Sequence, residues 1–118
     1  MKMNYVTLGT NDMQAAGAFY DALFAGAGLQ CVTPSDRMTY WFGADFAFAT
    51  AIPFDTTPAT SGNGTMVGFR AGTEEDVRRL HALALTLGAT CEGTPGHRGP
   101  KFSAYIRDLD GNKLCLSD

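Results

Sequence analysis

The feature that most constrains this chain is that it repeats itself. Gly28-Leu29-Gln30-Cys31 follows one helical pattern just as Gly88-Ala89-Thr90-Cys91 follows another, and the same order of elements recurs on either side of each. In the first half, Tyr5-Val6-Thr7-Leu8-Gly9 alternates β-forming residues, which predicts a strand. Asn11 and Asp12 then offer N-cap side chains, with Gln14 at the capping-box distance from Asn11. Ala16, Phe19, Tyr20, Leu23 and Phe24 recur at helical spacing and define one apolar face, which Gly26 and Gly28 bring to an end. Three strands are expected next, over 29–33, 38–42 and 46–52, the last two joined by a tight turn at Gly43-Ala44-Asp45.

The segment from Pro53 to Asn63 is rich in Pro, Thr, Ser and Gly and shows no periodicity, so it reads as a connector. After it the order begins again. Thr65 to Phe69 predicts a strand, and Thr73 caps a helix whose first turn carries Glu74, Glu75 and Asp76. Val77, Leu80, Ala84 and Leu87 mark the buried side of that helix, and His81 reads as a surface or helix-flank residue. Strands are expected over 89–92, 102–107 and 113–116, with Asp108 to Asn112 turning between the last two and Gly111-Asn112 suited to positive φ.

Two such units in 118 residues are each too small to bury a core unaided. The expected fold is therefore one α+β domain of two βαβββ modules, module one over 1–53 and module two over 64–118, with a linker over 54–63. The modules pair into a curved sheet with the helices on its convex face, leaving a concave cup for a ligand.

Composition narrows the function classes. Apolar residues make up 45% of the chain and charged residues 18%, which opposes disorder. The net charge is −3 and the nine Lys and Arg residues are scattered, so no basic stripe is present to follow a nucleic acid. Three cysteines without knuckle spacing predict free thiols rather than a disulfide framework. Neither a signal-like start nor a membrane-length apolar run is present, so the expected location is cytoplasmic, with no membrane partner.

Three stretches resemble the vicinal oxygen chelate superfamily, also called the glyoxalase/bleomycin-resistance/dioxygenase superfamily. Tyr5-Val6-Thr7-Leu8 through Asn11-Asp12-Met13 to Ala18-Phe19-Tyr20 is similar to its first strand and helix. Met66-Val67-Gly68-Phe69 is similar to the strand that opens its second module, and Arg107 to Leu114 to its closing hairpin. The resemblance implies paired βαβββ modules, usually in a homodimer, in which module exchange between chains is a further arrangement. It also implies a cup in which metal-dependent members hold a divalent ion through His, Gln or Glu. Lyases, isomerases, epimerases, ring-cleaving dioxygenases and antibiotic-sequestering proteins all share this frame, so the site must decide the function.

At the positions where the resemblance places metal ligands, this chain carries Tyr5, Met66 and Cys115. Alternation directs Val6, Leu8, Val67, Phe69, Leu114 and Leu116 toward the helices and leaves Tyr5, Thr7, Met66 and Cys115 facing the cup. A phenol, a thioether and a thiol do not suit Mg²⁺, Mn²⁺, Ca²⁺, Ni²⁺ or Zn²⁺ in such a cup, so no metal and no other cofactor is expected. Tyr40, Trp41 and Phe42 make one strand strongly aromatic, with Trp41 on the face opposite the other two. Which face lines the cup is open. His97, Arg98 and Lys101 lie in a glycine-rich loop that can reach an anionic ligand. Arg107 can meet a carboxylate ligand or pair with Asp108, Asp110 or Asp118. No residue stands out as catalytic. The leading expectation is a small-molecule-binding protein with a metal-free cup. The alternative is a lyase, isomerase or dioxygenase with a non-standard divalent metal site, drawing acidic ligands from Asp45, Glu92 or Asp118. A purely structural or protein-partner module comes third.

Overall fold

A computed structural model describes all residues, 1–118. Its elements fall in the order β1 (Tyr5–Gly9), α1 (Met13–Leu23), β2 (Gln30–Ser35), β3 (Met38–Phe42), β4 (Ala47–Ala51), β5 (Val67–Arg70), α2 (Glu74–Thr86), β6 (Thr90–Arg98), β7 (Lys101–Arg107) and β8 (Lys113–Ser117). They build two four-stranded mixed sheets of identical topology, ordered β1-β4-β3-β2 and β5-β8-β7-β6. In each, the first strand runs parallel to the last, and the last three strands form an antiparallel meander. The expected βαβββ repeat is thus present twice, in an α+β fold.

The chain divides into compact units at 1–60 and 61–118. The first unit takes in most of the segment read as a connector. Asn11 holds Ala59 through two hydrogen bonds, donating from Nδ2 to the Ala59 carbonyl at 3.0 Å and accepting from the Ala59 amide at 2.7 Å. Asn11 is therefore not the helix cap. Asp12 caps α1, accepting from the Ala15 amide at 2.9 Å.

The first core lies between α1 and its sheet. Ala16, Phe19, Tyr20 and Leu23 are buried, as their spacing predicts, and Phe24 is half-buried. Tyr20 packs its ring 4.7 Å from Phe48 and 5.5 Å from Trp41, and the Trp41 indole donates to Asp21 Oδ1 at 2.8 Å. The second core gathers Val77, Phe102, Ala104 and Leu116, flanked by Phe69, Ala71 and Leu80. Thr73 and Asp76 form the capping box of α2, each side chain accepting from the other's backbone amide.

Three local expectations are corrected. His81 is buried under α2 rather than on its flank, with Nε2 3.3 Å from Cys91 Sγ, because one helical step beyond Leu80 still faces the sheet. The loop expected around Gly96 to Lys101 is mostly strand. β6 runs on to Arg98, with register breaks between Cys91 and Gly93 and between Gly93 and Gly96. Pro95 is tolerated there because β6 is an edge strand with bulges. The closing hairpin does not take positive φ at both Gly111 and Asn112. Asp108 and Asn112 close the loop, and among its residues only Gly111 has positive φ, at 85°.

His81 carries a prediction. Burial pushes its imidazole pKa down, so in the fold it stays neutral at pH values where the unfolded chain takes up the proton. Stability contributed by the neutral ring is present above the ordinary imidazole value of about 6.5 and declines as pH falls below it. The melting temperature of the wild type should drop more between about pH 7 and pH 5.5 than that of His81→Leu. Parallel pH profiles for the two proteins would contradict this.

Candidate functional site

Each sheet has one face under its helix and one helix-free face, and register decides which residues share the free one. In module one, Tyr5 aligns with Ala47 and Thr7 with Ala49, while Tyr40 and Phe42 align with Ala49 and Ala47 across the other edge of β4. Tyr5, Thr7, Tyr40 and Phe42 therefore lie on the helix-free face, across a row of β4 alanines that are too small to lift the rings. Tyr5 and Tyr40 meet edge to face with centroids 6.0 Å apart, and Tyr40 stacks on Phe42 at 5.4 Å. Tyr5 is 56% exposed and Phe42 44%, so the array presents apolar ring surface to solvent. These rings, with Phe46 and Met3, border a depression of about 320 Å³.

Trp41 does not join them. It is 1% exposed and packs against Phe48 and Tyr20 beneath α1. β3 thus turns Tyr40 and Phe42 to the helix-free face and commits Trp41 to the core.

In module two, Gly68 and Tyr105 flank Cys115 in register, and Arg107 aligns with Lys113. Met66 precedes β5 and is 48% exposed. Cys115 is half-buried, and burial pushes its thiol pKa up, against opposing effects of a Tyr105 hydrogen bond and of the Arg98 and Lys113 charges. A protonated thiol is a poor nucleophile and a poor metal ligand. Arg98 lays its guanidinium 5.0 Å from the centre of the Tyr105 ring and donates to the carbonyls of Ser103 and Thr94. Lys113 places its ammonium 5.3 Å from the same ring.

Arg107 pairs with Glu92, not with Asp108, Asp110 or Asp118, and also donates to the Gly111 carbonyl at 2.8 Å. The Arg107–Glu92 hydrogen bond and the Arg107 charge, with a smaller contribution from the Lys113 charge, hold the Glu92 carboxyl below its ordinary pKa. His97 is set apart from this face. It shares the helix side with Phe102, packs edge to face on that ring, and lies 3.5 Å from Glu74 of α2. Lys101 is likewise diverted, donating to the Asp118 carbonyl.

Two residues on the free face of module two were not singled out from the sequence, Tyr105 and Lys113. The signal was available, since each stands two positions before a residue that was, Arg107 and Cys115, and strand alternation puts residues two apart on one face.

The donor set can be tested against the divalent ion that metal-dependent members of this fold hold. No three His, Cys, Asp or Glu side chains converge anywhere in the chain. Asp45 pairs with Lys2, Glu92 with Arg107, and the Asp118 carboxylate accepts from the Phe102 amide. In module two, the thioether of Met66 and the protonated thiol of Cys115 stand among cations, which repel a dication. These residues do not fit the ion.

Two βαβββ modules, each a four-stranded mixed sheet with one helix, define a class of small α+β proteins. The family model of the glyoxalase/bleomycin resistance protein/dioxygenase superfamily matches residues 2–116, and the chain belongs to that superfamily. A crystal structure of a glyoxalase/bleomycin resistance protein from Albidiferax ferrireducens T118 is similar at 35% identity and a TM-score of 0.89, over 98% of this chain and 96% of that one. A family enzyme from Burkholderia phytofirmans PsJN shares the fold at 22% identity and a TM-score of 0.82, over 99% and 98%. Lactoylglutathione lyase from Agrobacterium tumefaciens does so at 23% identity and 0.70, over 98% and 91%. No match was found among curated proteins. No helix is long and apolar enough to cross a membrane.

Proposed function

We propose that this protein binds a small, partly planar organic ligand on its helix-free sheet surface without a divalent metal ion. The observation that carries the reading is the Tyr5–Tyr40–Phe42 array. Tyr40 touches Tyr5 on one side and Phe42 on the other along the helix-free face, with Tyr5 and Phe42 substantially exposed, where a flat ligand can stack on rings already in place. The neighbouring depression of about 320 Å³ is at the small end of the range for organic ligands. The superfamily frame supports the reading, because its members differ in what the same sheets receive. The mismatch between the donor set and a divalent ion argues against metal-assisted turnover.

The test uses protein prepared without a metal-affinity tag. After dialysis, elemental analysis should find divalent metals well below stoichiometry. Indole, a neutral planar probe, should bind saturably by calorimetry, and Tyr40→Ala should weaken it by roughly threefold to tenfold, the worth of one aromatic contact. A stoichiometric metal that survives dialysis would overturn the metal-free part. Indole binding that is absent or indifferent to Tyr40→Ala would overturn the aromatic site.

A further inference from the structure

Module two offers chemistry of a different kind. A depression of about 340 Å³ lies at the end of its sheet, lined by Asn63, Gly64, Thr65, Met66, Arg107 and Lys113. Two of these side chains are cations and none is an acid. The nearest carboxylate partner on this face, Glu92, is already bound to Arg107. The same contact, together with the bond from Arg107 Nη1 to the Gly111 carbonyl, fixes the guanidinium in one orientation. Lys113 has no carboxylate within ion-pairing distance; its ammonium rests over the Tyr105 ring. Arg98, on the opposite side of Cys115, adds positive potential over the same strand pair. A chain with a net charge of −3 has thus gathered three cations on one sheet face around a single carboxylate, Glu92, which pairs directly with Arg107 and feels Lys113 only at longer range.

We propose that this depression receives the oxyanion end, carboxylate or phosphoryl, of a small organic acid, with Lys113 as its principal contact and Arg107 as a fixed second donor. A pre-oriented guanidinium beside a mobile ammonium is a favourable receptor for such a group, since little side-chain ordering remains to oppose binding. The volume exceeds what a bare ion needs, and the Met66 thioether supplies an apolar wall for the body of the molecule. The inference deepens the ligand-binding reading by naming an ionic end for the ligand. Its site uses none of the rings on which that reading stands.

The experiment compares benzoate, phenyl phosphate and the neutral isostere benzyl alcohol by calorimetry on the full chain. Benzoate or phenyl phosphate should bind at least about tenfold more tightly than benzyl alcohol, as one charge-assisted contact implies, and the tighter of the two identifies the oxyanion. That preference should shrink as NaCl is raised. Lys113→Met should remove it while keeping the wild-type melting temperature within a few degrees, and Lys113→Arg should restore most of it. Equal binding of all three probes, or a preference that Lys113→Met leaves intact, would overturn the proposal. Indole binding separates the two ideas. Its loss with the anion preference retained defeats the aromatic site alone, and the reverse result defeats the anion site alone.

Discussion

Trp41→Ala should lower the unfolding free energy by about 3–5 kcal/mol, the cost of truncating a large buried aromatic residue. The expected size follows from where the indole sits. It is 1% exposed and packs within 6.0 Å, centre to centre, of Tyr20, Phe24 and Phe48, so removing it opens a void that three rings line together. Those rings belong to α1, its C-cap and β4, and the helix would lose much of its hold on the sheet. The indole N–H also ties β3 to α1 through Asp21. Trp41→Phe keeps most of the packing and removes only that bond, so a smaller loss of about 1–2 kcal/mol is expected. Chemical denaturation of the three proteins decides the matter. An alanine variant within about 1 kcal/mol of wild type would mean that Trp41 is not the centre of this core.

The second large effect is expected at Asp108. This residue is 6% exposed, and its carboxylate organises the closing hairpin from within. Oδ1 accepts from the amides of Asp110 and Asn112, each at 2.9 Å, and Oδ2 accepts from the Asn112 side chain at 3.0 Å. Asp108→Ala strands these donors in a mostly buried turn, at a cost of roughly 3 kcal/mol, since an unsatisfied buried group loses its full solvation. Asp108→Asn should recover part of the loss, because an amide oxygen can still accept the two backbone bonds but its NH₂ faces the Asn112 amide. If alanine and asparagine prove equally mild, the carboxylate is not what holds β7 and β8 in register.

The repeat could be read directly because its signals are local. Helical spacing from Ala16 to Leu23, the Thr73 cap with Asp76 three residues on, and the glycines after each helix act within a few residues, and each appears where expected. The errors occurred where distant residues compete for a local group. Asn11 has the right chemistry for a cap but is engaged by Ala59, 48 residues away. The stretch from Gly93 to Arg98 has loop composition, yet β7 supplies a strand for it to pair with and bulges absorb the mismatch. His81 is a polar residue on a helix face that the sheet happens to cover.

The candidate site was legible in part. Alternation put Tyr5 and Thr7 on one face of β1 and Cys115 on the corresponding face of β8, and the register aligns them with Ala47, Ala49 and Gly68. It could not choose between Trp41 and its neighbours, because both faces of β3 are aromatic and only the position of α1 breaks the tie. Nor could it separate Arg98 from His97. They are adjacent in sequence, and the strand that carries them sends one toward Tyr105 and the other toward Phe102. By itself, then, the sequence determined the twin βαβββ frame and put a phenol, a thioether and a thiol at the points where the resemblance expects metal ligands, since both follow from residue type and short-range spacing. Tertiary structure decided which side chains share a surface. Cross-strand register and helix docking are set by packing over the whole module, and they alone bring Lys113, Arg107 and Met66 to one depression and Tyr5, Tyr40 and Phe42 to another.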